Sequence, residues 1–232
     1  MNILAIDIGG TNAKMLVSGK LEPRKFPSGP KLTPDKMVAG VLELVNDWEY
    51  DVVSIGYPGH IRGGRIVAEP YNIGKGWVGY DFQRAFGRPV KLINDGAMQA
   101  LGCYEGGTLL FIGLGTGVGA CLIIDGTSVP MEIGHLPYRK KTVEHYLGSA
   151  GLKRIGRKKW QKTLEILVEQ LMAVFHPDRI VIGGGNAMKL KRLPPGCEAG
   201  DNAFALEGGF RLWQGEARAV AGSTEHREAG YH

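Results

Sequence analysis

Asn2-Ile3-Leu4-Ala5-Ile6-Asp7-Ile8-Gly9-Gly10-Thr11-Asn12-Ala13-Lys14-Met15-Leu16-Val17 opens the chain. An apolar run carries an acid at Asp7, turns through two glycines, and resumes as a second apolar run. That pattern predicts a hairpin over 3–17. Gly9 and Gly10 let the turn take positive φ and let the backbone come close to a ligand. Successive N–H groups in such a turn make a concavity for a phosphate. Thr11 adds a hydroxyl, and Asp7 stands where it can hold the Mg²⁺ of that phosphate. Gly9, Gly10, Thr11, Asn12 and Lys14 are therefore expected phosphate- or nucleotide-binding residues, and Asp7 the expected metal ligand.

The same pattern recurs downstream. Leu109-Leu110-Phe111-Ile112 reads as a strand, 113–119 as a glycine turn, and Ala120-Cys121-Leu122-Ile123-Ile124 as the return strand. Thr116 and Gly117 occupy the second turn as Thr11 and Gly10 occupy the first. Two such turns can clamp a phosphate chain from both sides. Two nucleotide fingerprints are excluded. Gly115-Thr116-Gly117-Val118-Gly119-Ala120 matches a dinucleotide motif formally, but that motif must open a helix and this one opens an apolar strand. Gly19-Lys20 and Gly74-Lys75 lack the following Ser or Thr of a P-loop.

Between and after the hairpins, helical spacing of Met37, Val38, Val41, Leu42 and Val45 predicts a helix over 34–48. Strands are expected at 51–57, 89–93 and 179–182. Further helices are expected at 80–86, 96–104, 142–156, 158–176 and 202–213. Strands alternate with helices, so the class is α/β. The repeated hairpin predicts two related lobes, 1–107 and 108–213, with the ligand between them. From residue 214 to 232 the chain is small, polar and charged, and a frayed tail is expected there.

Several polar groups fall at strand ends. Asn94-Asp95 follows a buried strand and precedes a helix. A carboxylate there can take a proton from a substrate hydroxyl, or it can cap the helix; the residues alone leave both open. Glu132 and His135, in Glu132-Ile133-Gly134-His135, can bond neighbouring hydroxyls of a polyol or lie on the surface. Pro58-Gly59-His60 and Gly74-Lys75-Gly76-Trp77 can complete a hydroxyl-rich pocket or serve as plain turns. Gly183-Gly184-Gly185-Asn186 can let an adenine and ribose lie against the backbone, with Gly184, Gly185 and Asn186 as contacts, or be a strand-to-helix turn. Lys153, Arg154, Arg157, Lys158, Lys159 and Lys162 are either a solvated face or a track for a long polyanion.

Composition sets the outer bounds. The chain has 232 residues, 44% hydrophobic and 22% charged, with a net charge of +5 and 36 glycines. That suits a globular protein with a sizeable core. The charge mildly favours anionic partners but falls short of a nucleic-acid-binding tail, and no apolar run is long enough for a bilayer. Met1 leads directly into a strand without a signal-like segment, so a cytoplasmic protein is expected. Cys103, Cys121 and Cys197 are widely spaced and odd in number, as buried free thiols would be.

Taken together and in this order, Asp7-Ile8-Gly9-Gly10-Thr11, Asn94-Asp95, Leu114-Gly115-Thr116-Gly117-Val118-Gly119 and Glu132-Ile133-Gly134-His135 resemble the ROK sugar kinases. The Gly-Lys-Gly-Trp segment at 74–77, the Asn-Asp-x-Ala-Met-Gln run at 94–99 and the turn at 183–186 resemble the polyphosphate/ATP glucokinase branch. The resemblance covers roughly 3–213. It implies a two-lobe, actin-like (ribonuclease H-like) fold with sugar and nucleotide in the cleft, and it favours a homodimer. It implies Asp95 as the base acting on the sugar 6-hydroxyl, with Asn94, Glu132, His135 and Gly59 as sugar-binding residues. Family members commonly follow the Gly-His with a cysteine-rich zinc loop and a sugar-binding Glu. Here no Cys follows His135 until Cys197, so no zinc is expected, and Glu144 is the candidate for the missing Glu. Family repressors carry a winged helix ahead of the core, whereas this core begins at Asn2. The expected function is phosphoryl transfer from polyphosphate or ATP, with Mg²⁺, to glucose. The alternatives are another hexose, or a non-catalytic sugar sensor on the same scaffold.

Overall fold

The computed structural model describes residues 1–201, 203–214 and 218–219. The first lobe begins with β1 (Ile3–Ile8), β2 (Asn12–Val17) and β3 (Arg24–Pro27), an antiparallel meander. α1 (Pro34–Leu44) follows, its start set by Thr33, whose side chain accepts from Lys36 N, and by Pro34 in the first turn. Then come β4 (Val52–Tyr57), a small hairpin β5 (Ile61–Arg62) and β6 (Arg65–Ile66), α2 (Phe82–Phe86), β7 (Val90–Asn94) and α3 (Asp95–Cys103). β4 lies parallel to β1, and β7 parallel to β4, giving the sheet order β3-β2-β1-β4-β7.

The second lobe repeats this plan. β8 (Thr108–Leu114), β9 (Val118–Ile124) and β10 (Thr127–Met131) form the meander. A small hairpin, β11 (Pro137–Tyr138) and β12 (Lys141–Thr142), leads to α4 (Val143–Leu147) and α5 (Ser149–Phe175). β13 (Arg179–Gly183), β14 (Cys197–Ala199) and α6 (Phe204–Gln214) complete it, and β15 (Arg218–Ala219) pairs with β10. The order β14-β13-β8-β9-β10-β15 contains the first lobe's arrangement with the same strand directions. The two-lobe α/β architecture expected from the repeated hairpin is the one found.

Each central strand is buried on both faces, which is why these strands read as unbroken apolar runs. Along β1, Leu4, Ile6 and Ile8 enter the core of the first lobe, while the alternate residues Ala5 and Asp7 face the other way. β8 divides likewise. Leu110, Ile112 and Leu114 pack into the second lobe's own core, and Leu109 and Phe111 join a third cluster between the lobes. That third cluster is built on α3 and α6. Gly102 lies against Phe204 O and Gly208 against Met98 O so closely that a Cβ at either would collide, so the two helices pack backbone to backbone. α6 also reaches back to the first sheet, where the buried Ser54 hydroxyl donates to Gly209 O (2.6 Å) and accepts from Trp213 Nε1 (2.9 Å). Burying Ser54 without those partners would cost about 1–3 kcal/mol.

The segment 142–176 departs from two expected helices. It breaks first at Gly148, whose Cβ position lies 2.6 Å from Thr116 O, leaving no room for a side chain there. It kinks again at Gly156 (φ 76°, ψ 157°), near the expected boundary. Strands β3, β10 and β14 were not expected; β3 and β14 edge their sheets, and neither is fully buried, so their sequences lack the apolar signal of the central strands. All three cysteines are free thiols, two of them buried. Of the expected tail, Gln214 ends α6 and Arg218–Ala219 form β15; the remainder, like Asn202 at the expected start of the last helix, lies outside the described residues. Among the described residues no helix is long and apolar enough to cross a membrane.

Candidate active site

The two glycine turns face one cavity of about 1050 Å³ between the lobes. From the first lobe it is lined by Gly10, Thr11, Gly59, Asn94 and Asp95. From the second come Thr116, Gly117, Glu132, His135, Glu144, Gly184, Gly185 and Asn186. Residues that the sequence scatters over more than 170 positions thus converge on one cleft. Gly9, Asn12, Lys14 and Asp7 are not among its lining residues. Gly9 and Asn12 close the first turn through Gly9 N donating to Asn12 O (3.0 Å). Lys14 lies directly opposite Asp7 across the β1–β2 pair.

Asp95 opens α3, but it does not cap it. Asn94 does: its Oδ1 accepts from Ala97 N (3.1 Å), while its Nδ2 donates to Gly59 O (3.2 Å). The Asp95 carboxyl is left with a short-range bond from Gly96 N (2.8 Å) and a face on the cavity. The alternative of Asp95 as helix cap is thereby corrected. Asn94 still has a second amide N–H for a ligand.

The site's electrostatics are those of two crowded acids. The Asp7 carboxyl, 8% exposed, is pushed up to about 6, chiefly by burial and against the nearby Lys14 charge. Asp95 is pushed up to about 7, first by burial and then by the charge of Asp7, with Glu132 adding to the repulsion and N–H groups opposing it. Two carboxyls that disfavour each other's charge form an environment a divalent cation would relieve. Asp7 therefore fits a role in holding Mg²⁺, which takes one or two carboxylates together with phosphate and water rather than a full protein cage.

The second hairpin is held differently. Asn186 is 4% exposed, and its Nδ2 donates to Gly115 O (2.7 Å) and Ser149 Oγ (2.9 Å), while its Oδ1 accepts from Lys189 Nζ (2.8 Å). Ser149 at the start of α5 adds Oγ to Gly115 O (3.0 Å) and N to Thr116 O (3.1 Å). The Asn186 side chain is thus a brace for the turn, and Gly184 and Gly185 border the cavity beside it. Glu144, exposed at the start of α4, hangs over the turn so closely that a Cβ on Gly117 would collide with its Oε2. Gly134 is likewise pressed against Val118 O, which fixes the turn carrying Glu132 and His135.

Gly74-Lys75-Gly76-Trp77 lies away from the cavity. Trp77 is fully buried in the first lobe's core with Nε1 donating to Gly74 O (2.7 Å), and Glu69 accepts from the N–H groups of Gly76, Trp77 and Val78. Its turn role is the one observed. Pro58, Gly59 and His60 line the cavity, as the pocket alternative for that segment expects, and Gln99, Ser149, Glu69, Tyr71 and Asn72 line it without having been expected there. Gln99 was findable, because it lies four residues after Asp95 and so on the same helix face. Tyr71, 92% exposed, carries no periodic signal at all.

A model of the ROK family matches residues 3–151. A polyphosphate glucokinase of Mycobacterium tuberculosis is 26% identical over 212 residues, spanning 82% of this chain and 80% of that protein. A kanosamine kinase of Amycolatopsis mediterranei is 25% identical, spanning 83% of each. Among solved structures, the inorganic polyphosphate/ATP-glucomannokinase of Arthrobacter sp. strain KM matches with a TM-score of 0.77 and 26% identity, over 91% of this chain and 97% of that one.

Proposed function

The chain belongs to the ROK family and is a sugar kinase, and from that premise we propose that it is a glucokinase, transferring a phosphoryl group from polyphosphate or ATP to the 6-hydroxyl of glucose. The observation that carries the reading is Asp95: a carboxyl released from helix capping by Asn94, facing a cavity that both glycine turns also line. Asp95, pushed up to about 7, is matched to accepting a hydroxyl proton near neutral pH. Asn94, Glu132, His135, Gly59 and Glu144 would orient the sugar so that one hydroxyl points at Asp95. Backbone N–H groups of Gly10 and Thr11 in the first turn and of Thr116 and Gly117 in the second, with the Thr11 and Thr116 hydroxyls, would hold the donor phosphates from opposite sides. Mg²⁺ at Asp7 would supply charge neutralisation at the transferred group. Most of the rate gain then comes from positioning and electrostatics rather than covalent chemistry. Closure of the lobes would keep water from competing as acceptor.

Both donors have support. The exposed basic residues of α5 run away from a helix start that touches Gly115 and Thr116 through Ser149, which favours a long polyanion. Gly184 and Gly185 on the cavity wall favour a nucleotide. The resemblance to a kanosamine kinase and a glucomannokinase makes a sugar panel the appropriate substrate set. A coupled assay offering ATP and polyphosphate separately, against glucose, mannose and amino sugars, tests the reading. Sugar phosphate from glucose with either donor is expected. No turnover with any pair overturns it.

A further inference from the structure

We propose that His60 is a positioning residue for the sugar: it reaches across the mouth of the cleft and holds the Glu132 carboxylate in its binding orientation. The inference rests on the sugar-kinase reading above and adds to it a residue that links the two lobes. His60 Nε2 lies 3.9 Å from Glu132 Oε1, and the two belong to opposite lobes. Among the described residues, no other basic group comes within 4.0 Å of that carboxylate.

Both ends of the pair are anchored through backbone. Gly59 O, the carbonyl just before His60, accepts from Asn94 Nδ2 (3.2 Å), so the His60 loop is tied to the residue beside Asp95. His60 O accepts from Val67 N (3.1 Å). Gly59 has no room for a side chain, because its Cβ position lies 2.6 Å from the Tyr57 ring. Opposite, Glu132 O accepts from His135 N (3.0 Å), and the Ile133 side chain is buried beneath the turn. Neither partner is a freely swinging loop. About an ångström of lobe approach would turn the 3.9 Å contact into a hydrogen bond, and a ring bearing a proton on Nε2 donates whether or not it is charged.

The side chains are 50% and 51% exposed, so in the open cleft the pair contributes little. A sugar filling the cavity displaces the water around it and strengthens the same contact. His60 also removes orientational freedom from Glu132 that the sugar would otherwise have to remove. Both effects act on sugar binding, not on the phosphoryl step.

The test measures glucose affinity by calorimetry, and kcat and KM in the coupled assay, for the parent, His60→Ala, His60→Gln, Glu132→Gln and the double variant with His60→Ala. His60→Ala is expected to raise both Kd and KM about three- to tenfold. Its kcat should stay within about twofold and its Tm unchanged. His60→Gln, which keeps a donor, should recover most of the affinity. In the Glu132→Gln background His60→Ala should add less than about twofold. Parent-like affinity in His60→Ala, an equal loss in both backgrounds, or a loss confined to kcat or Tm overturns the proposal. A parent that binds glucose without phosphorylating it overturns the kinase reading, while the same Kd values still decide the role of His60. A parent that binds no hexose overturns both.

Discussion

The two glycine hairpins differ more than their sequences do. In the first, Ile8 pairs with Ala13 across a turn of four residues, and Asp7 stands two residues before Gly9. In the second, Leu114 pairs with Val118 across a turn of three, and the position matching Asp7 is Gly113. The first hairpin carries its own acid. The second carries none and receives a carboxylate, Glu144, from α4, which begins at Val143. The second is also the more heavily braced, with Asn186 and Ser149 fastening Gly115 and Thr116 to β13 and α5. A duplicated strand–turn–strand unit has thus been specialised by what surrounds it. On the function proposed above, the first copy would manage metal and charge, and the second would form a rigid wall between donor and sugar.

The largest expected effect tests the acid between the hairpins. Asp95→Asn should lower kcat by about 10²–10⁴ and leave glucose affinity, measured by calorimetry, near the parent value. Retained turnover would return Asp95 to a structural role. Next comes the matched pair that separates the hairpins. Asp7→Asn should reduce kcat/KM about a hundredfold with a raised Mg²⁺ requirement. Gly113→Ala, whose new Cβ would meet the Phe111 ring at 3.4 Å and Gly119 O at 3.9 Å, should stay within a fewfold of the parent. Equal losses would mean that the two positions do the same work.

A smaller contrast concerns the turns themselves. Gly117→Ala displaces the exposed end of the Glu144 side chain and should weaken glucose affinity only a fewfold. Gly10→Ala places its Cβ 3.6 Å from Asn72 and should leave glucose affinity unchanged, whatever it does to the donor. The smallest effect is on stability. Asp7 and Asp95 are raised to about 6 and about 7 from the ordinary 3.8, so the folded protein favours their protonated forms. The stability they add is complete below about pH 4 and is lost as pH rises through 6 to 7. Without ligands, Tm should accordingly be several degrees higher at pH 5.5 than at pH 8, and Asp95→Asn should flatten that slope. A parent slope unchanged by Asp95→Asn would remove the burial of Asp95 as its cause.

Much of the fold was legible because the signals are local. β1, β2, β4, β8, β9 and β13 are apolar runs bounded by glycine or proline, and each lies where its run predicts it. α1 follows from apolar spacing and α3 from its place after a buried strand, while their caps, Thr33 and Asn94, emerge only in the structure. Edge strands such as β3 and β14 escaped because they are half exposed and short. At the site, strand ends and glycine turns pointed to most of the residues that meet in the cleft. Tyr71 and Ser149 escaped because nothing in their neighbours marks them. The bracing role of Asn186 is invisible in the sequence because a Gly-Gly-Gly-Asn turn has the same appearance whether its amide faces outward or inward.

The sequence by itself determined that this chain alternates strands and helices, repeats one glycine hairpin, and places acids at strand ends. Those properties follow from side-chain periodicity and turn chemistry, which act over a few residues. Only the tertiary structure decided which acid was free. Asn94 takes the cap, Asn186 turns inward to brace Gly115, Glu144 reaches the second turn, and His60 meets Glu132 across the cleft. Each of those outcomes depends on competition for a hydrogen bond, or for space, that becomes definite only when the two lobes are packed on α3 and α6.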